Sequence, residues 1–280
     1  MKRIKLLIKN KKVICLKKIE RYPKYNTVII LTGAGTIASN YSIFAKQFKR
    51  TEVIIINTPG HGFGKSLTQG EPLTEANDLI GFQVNVIKRL IEENYCSSKI
   101  TLLGYSLGGM TLLNIINRNL LDEYIDLCVL ICSARLTRYD NDFAKALYNA
   151  ETNTFNAKPL MKKGFTNKTP WYIKYINPRW IYALPNAFYA DLLQCDSMNE
   201  ISKDELMIDN NKNVIALIGE DDFCYSKEEM LNTIKSFKNR TFISLKEYGH
   251  LFIIERPIKA GRLVSKVIKT YSDNFFIEKY

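Results

Sequence analysis

KITLLGYSLGGMTLLNII (residues 99–116) holds the stretch that decides the fold. KITLL at 99–103 is a short apolar run and reads as a strand. After it, apolar groups through Leu113 and Ile116 read as a helix. Between the two lies Gly104-Tyr105-Ser106-Leu107-Gly108-Gly109, which fits G-x-S-x-G. Glycines flank the serine because side chains would clash in so tight a turn. The strained turn pushes the hydroxyl out at the carboxyl edge of the sheet. A glycine-rich turn that merely contains a serine would match the letters alone. The strand before it and the helix after it favour the nucleophile reading.

Upstream, residues 4–8 and 12–19 read as a β-hairpin about Asn10-Lys11. Residues 27–32 form a buried strand ending at Gly33-Ala34-Gly35, and 40–49 carry apolar groups at helical spacing. A second buried strand, 53–56, runs into the loop NTPGHGFGKS, and 76–94 form a long amphipathic helix. Downstream, 126–132 is again a strand. Continuous apolar strands alternating with helices predict an α/β fold: a mostly parallel sheet covered on both faces. The alternation lapses over 134–205, a segment rich in aromatic residues with prolines at 170, 178 and 185. It reads as short helices joined by turns. The frame resumes with a strand at 213–219, a helix near 226–238, a strand at 241–246 and a final helix at 257–271. The expected organisation is a core of residues 1–133 and 206–280 with a mainly helical cap, 134–205, inserted into it.

The bulk properties set limits. With 280 residues, 46% hydrophobic and 24% charged, the chain has ample material for a core. No run approaches the ~20 apolar residues of a membrane span, and Lys5, Lys9, Lys11 and Lys12 interrupt the apolar start. No secretory signal is read there, and a cytoplasmic location is expected. The net charge of +12 comes from basic residues scattered over the whole chain, with short lysine clusters such as 9–12 and 162–163. It reads as surface solvation, with neither nucleic-acid binding nor stable membrane insertion expected. The six cysteines form no C-x-x-C pair and are read as reduced thiols, with no metal site.

A serine needs a base, and the chain has two histidines. His250 lies after the last strand, where a base could reach Ser106. His61, in PGHGFG, reads as shaping a loop at the mouth of the site. A carboxylate is needed to fix the tautomer of the base. Gly219-Glu220-Asp221-Asp222 supplies it in the order Ser, Asp, His; Asp222 is the choice and Asp221 the reserve. A helix cap for the helix starting near Ser226 is the competing role for these aspartates. The turn at 33–35 also suits a dinucleotide pyrophosphate. That reading wants an acidic residue at the end of the next strand, where Asn57 stands, and it leaves the other motifs unexplained.

With four motifs in order, TGAG (32–35), PGHGFGKS (59–66), GYSLGG (104–109) and GEDD with GHLFIIERP (219–222, 249–257), the chain resembles the α/β-hydrolase superfamily over essentially its whole length. The family usually has His-Gly where this sequence has Thr32-Gly33. The departure leaves a backbone role intact. The resemblance implies an oxyanion hole from the N–H groups of Ala34 and Leu107, agrees on Asp222 as the acid, and implies acyl-transfer hydrolysis. The expected function is a serine hydrolase cleaving a small carboxylic ester or thioester through an acyl-enzyme, without a cofactor. An acyltransferase or lyase using the same triad, or a binding protein on the same scaffold, stands as the alternative. Tyr105, His61, Arg135, Trp171 and Trp180 are candidate substrate-binding residues. Cap aromatics such as Phe143, Tyr148, Phe155, Phe188 and Tyr189 either line a pocket or pack the cap down.

Overall fold

The structure is a computed structural model and describes residues 1–138, 141–156, 158–166, 169, 184–205 and 210–277. Six strands precede the insertion: β1 (Lys2–Ile8), β2 (Lys11–Lys18), β3 (Tyr25–Leu31), β4 (Thr51–Ile56), β5 (Ile100–Tyr105) and β6 (Ile125–Ile131). With them come the helices α1 (Ser42–Ala45), α2 (Ala76–Glu92) and α3 (Leu107–Asn117). The insertion holds α4 (Asn141–Lys145), a small hairpin of β7 (Tyr148–Asn149) and β8 (Thr154–Phe155), α5 (Lys158–Gly164) and α6 (Pro185–Asp204). β9 (Asn210–Asp221), α7 (Lys227–Ile234), β10 (Phe237–Gly249), α8 (Phe252–Glu255) and α9 (Pro257–Ile277) complete the chain.

Eight strands form one sheet in the order β1-β2-β4-β3-β5-β6-β9-β10. Within this sheet only the pairings made by β2 are antiparallel; β4, β3, β5, β6, β9 and β10 run parallel. The apolar runs are continuous because both faces are covered. Ile29, Ile54, Leu102 and Cys128 face one core with α2 and α3. Val28, Val53, Leu103 and Val129 face another with α1 and α9. All parallel strands therefore end at one carboxyl edge, where loops can gather functional groups.

Details differ from the sequence reading. The first hairpin turns on Lys9-Asn10, not Asn10-Lys11; both have positive φ (48° and 62°), as a type I′ turn requires. The 40–49 segment buries Tyr41, Phe44, Ala45 and Phe48 as its spacing implies. It does so through a 3-10 turn (Ala38–Tyr41) and a single α-turn, so the spacing marked the buried face and not the helix length. β9 and β10 are longer than expected, because polar Asn210 and Asn213 also pair across them. α7 is correspondingly shorter than 226–238. The insertion is not made of short helices alone: α6 runs for 20 residues. Pro185 suits its first turn, having a fixed φ and no N–H to satisfy. Asp191, Gln194 and Ser202 are buried among its apolar residues, which breaks up the helical stripe in the sequence.

Candidate active site

β5 ends at Tyr105 and α3 begins at Leu107, so Ser106 alone makes the turn. Its backbone sits at φ 52°, ψ −121°. A non-glycine residue there carries about 1–3 kcal/mol of strain. The neighbours show what holds it. A Cβ on Gly104 would lie 2.5 Å from the Gly108 carbonyl oxygen, and one on Gly108 would lie 2.2 Å from that of Leu31. The Ser106 N–H donates to the Ile131 carbonyl of β6 at 3.1 Å.

His250 follows the end of β10, and Asp222 follows the end of β9. The imidazole Nδ1 lies 3.1 and 3.0 Å from the two Asp222 oxygens, and Nε2 lies 3.0 Å from Ser106 Oγ. A carboxylate can only accept, so in the neutral imidazole Nδ1 carries the proton and Nε2 is left to accept from the serine hydroxyl. Asp222 Oδ1 also accepts from the N–H groups of Cys224 (2.8 Å) and Tyr225 (3.1 Å). Tyr105 and Tyr225 stack on the imidazole at 5.7 and 5.8 Å, and Phe223 meets it edge-on at 5.5 Å. The Tyr105 hydroxyl donates to the His250 carbonyl at 2.8 Å. Both ionisable partners are buried. Burial alone would push His250 down, but the Asp222 charge outweighs it and holds the imidazole well above its usual range. Burial would push Asp222 up; the His250 charge and the hydrogen bonds hold it below the usual carboxylate range.

A cavity of about 100 Å³ opens over Ser106. Ala34, Thr36 and Tyr105 line it from the core side, Leu160, Phe188 and Leu192 from the insertion, and Phe223, Tyr225 and Leu251 beside the histidine. Leu107 is the first residue of α3, where backbone N–H groups have no intrahelical partner and the helix dipole is positive. Cys132, Asp222 and His250 place potential metal-binding atoms within 4.8 Å of one another. Asp222 and His250 are already engaged with each other, and burial pushes the Cys132 thiol well up, so it keeps its proton.

The other sequence candidates fall apart from this group. Asp221 and Glu220 are exposed at the end of β9, and Glu220 accepts from Ser244 at 3.1 Å. Neither aspartate caps α7; Ser226 does, in a capping box with Glu229. His61 is not among the residues lining the cavity. It is buried, with Nδ1 2.8 Å from Thr58 Oγ1 and Nε2 2.9 Å from Asp191 Oδ2. Burial pushes its pKa down, the Asp191 charge pushes it up, and the net direction is up. Arg135 also lies away from the cavity lining: its guanidinium donates to the Ser202 and Glu205 carbonyls at the end of α6. Trp171 and Trp180 lie outside the described residues. Among the insertion's aromatics, Phe188 lines the cavity and packs on Phe155 at 4.5 Å, while Tyr148 stacks on Tyr189 at 4.7 Å. Exposed Phe143 lies under Lys163. Phe223 and Tyr225, beside the imidazole, went unremarked in the sequence. Their place directly after Asp222 in DDFCY was the available signal.

Among the described residues, no helix is long and apolar enough to cross a membrane. No curated protein sequence matches this chain. The chain is similar in structure to an enol-lactonase from Burkholderia xenovorans LB400 (12% identity, 95% of this chain and 100% of that one, TM-score 0.74). It is similar to a thermophilic esterase from Thermogutta terrifontis (16%, 96% and 99%, TM-score 0.73). A lipase-esterase related protein from Clostridium acetobutylicum is also similar (18%, 92% and 98%, TM-score 0.72). At these identities the likeness is one of fold. The family model described as alpha/beta hydrolase fold matches residues 26–257. With most of its length matched, and with the parallel sheet and its strand-to-helix serine turn, the chain belongs to the alpha/beta hydrolase fold family.

Proposed function

We propose that this protein is a serine hydrolase that cleaves a small carboxylic ester or thioester through an acyl-enzyme. The observation that carries the reading is the unbroken line from Ser106 Oγ to His250 Nε2 (3.0 Å) and from Nδ1 to Asp222 (3.0 Å). His250 takes the hydroxyl proton as Ser106 Oγ bonds to the acyl carbon. The N–H groups of Ala34 and Leu107 hold the resulting oxyanion. The carbon–oxygen or carbon–sulfur bond to the leaving group then breaks, and His250 protonates that group. A water molecule repeats the sequence and releases the acid, restoring the Ser106 hydroxyl. Asp222 keeps the imidazole in the needed tautomer and stabilises its protonated form. The mostly apolar lining of the cavity suits an uncharged acyl group of modest size. Similarity to a lactonase and an esterase points the same way.

The test is fluorophosphonate labelling read by intact mass. One adduct is expected on the wild type and none on Ser106→Ala or His250→Ala. A folded wild type that takes no adduct would refute the mechanism.

A further inference from the structure

We propose that Asp191 is a positioning residue for the oxyanion hole: from α6 it clamps the loop that presents the Ala34 N–H. The role rests on the hydrolase reading above, whereas the clamp itself does not. The loop after β3 is held on both sides of Ala34. On one side the Gly33 N–H donates to the Tyr41 hydroxyl at 3.0 Å, and the Gly33 carbonyl accepts from Thr36 Oγ1 at 2.6 Å. On the other side the Gly35 N–H donates to Asp191 Oδ2 at 2.6 Å. Ala34 itself lines the cavity over Ser106.

The same Asp191 oxygen lies 2.9 Å from His61 Nε2. His61 is in turn held through Nδ1 by Thr58 (2.8 Å) and the Pro59 carbonyl (3.0 Å). The carboxylate is therefore buried, oriented by a second loop and satisfied by two donors. A second residue of α6 reinforces it. Gly35 has φ +69°, and a Cβ there would lie 2.7 Å from the Phe188 ring. Phe188 and Asp191 stand three positions apart on one helix face and bracket this glycine. None of these bonds reaches Ser106 or His250, so Asp191 takes no part in proton transfer. Its effect runs through the position of a backbone donor, where misplacement by about 1 Å is worth on the order of 10²-fold in rate. Because α6 belongs to the insertion, the placement of that segment and the shape of the oxyanion hole are set by the same bond.

Two substitutions separate the bond from the charge. Asp191→Asn keeps an oxygen where Oδ2 stands; Asp191→Leu keeps the volume and removes the acceptor. Steady-state hydrolysis of p-nitrophenyl acetate is expected to show kcat lowered on the order of 10²-fold in Asp191→Leu, with KM within about twofold. Asp191→Asn is expected to stay within about fivefold of wild type in kcat. Amide hydrogen exchange of Gly35, followed by NMR, is expected to be protected in wild type and Asp191→Asn and fast in Asp191→Leu. Wild-type kcat in a folded Asp191→Leu, or equal losses in both variants, would overturn the proposal. If Asp191→Leu does not fold, an unprotected Gly35 amide in the wild type overturns it as well. A wild type without esterase activity overturns the catalytic role together with the hydrolase reading, while Gly35 protection still reports on the clamp alone.

Discussion

Gly108→Ala is expected to damage the site more than the fold. An added Cβ would lie 2.2 Å from the Leu31 carbonyl oxygen, 2.5 Å from the Leu31 carbonyl carbon and 2.7 Å from the Thr32 carbonyl oxygen. A comfortable carbon–oxygen contact is about 3.3 Å, so the first turn of α3 must retreat from the end of β3 by about 1 Å. All three atoms are backbone, and no side chain can swing aside to make room. Overpacking of this kind costs about 1–3 kcal/mol, a drop of a few degrees in Tm for a chain of this length. The kinetic cost is larger. The retreat carries the Leu107 N–H and Ser106 on the α3 side away from Ala34 on the β3 side, opening the proposed two-donor grip on the oxyanion. Loss of one such donor is worth about 10²–10³ in kcat. The assay is kcat and KM for a p-nitrophenyl ester beside a thermal melt. A variant with wild-type kcat and an unchanged melt would show that α3 is not held against β3 as tightly as the backbone positions require.

Gly81→Ala makes the opposite case, because a Cβ at this exposed position of α2 meets nothing within 4 Å. It is expected to stabilise by about 0.5–1 kcal/mol in a denaturant melt without altering activity, and destabilisation would contradict that geometry. Asp222→Asn removes the charge that holds His250 up while leaving the burial that pushes it down. In the proposed mechanism His250 must be neutral to act as a base, so activity is expected to be lost as pH falls through its pKa. The acid limb of kcat/KM should therefore move to lower pH in this variant, with kcat reduced about 10⁴-fold; a limb moving upward would refute the assignment. Burial pushes the Cys15 and Cys128 thiols up to about 12. Neither should react with Ellman's reagent at pH 8 until the protein is unfolded in guanidinium, as peptide mapping of the labelled sites would check.

The parts of the fold and site that are legible in the sequence are those whose chemistry is local. GYSLGG announces its turn because the glycines, the serine and the flanking apolar runs are contiguous. The parallel strands are legible because burial on both faces leaves unbroken apolar runs. The choice between Asp221 and Asp222 depended on where β9 stops and how the chain turns, which adjacent identical residues do not encode. α6 is obscured by its own buried polar residues, Asp191 and Gln194. The bond between His61 and Asp191 joins positions 130 residues apart and left no local mark.

The insertion between β6 and β9 also has a temporal meaning. Sheet order places β6 beside β5 on one side and β9 on the other. As the chain leaves the ribosome, β1 through β6 can pair while the far edge of β6 waits for a strand beyond the whole insertion. At roughly 5–20 residues per second, the 79 positions from Ile131 to Asn210 take about 4–16 s to be made. Until Asn210–Asp221 emerges, the nascent sheet shows an open edge made of the largely apolar IDLCVLI strand, the kind of edge that recruits other strands. Chaperone attention, and aggregation where it fails, should fall between the synthesis of Ile131 and that of Asn210.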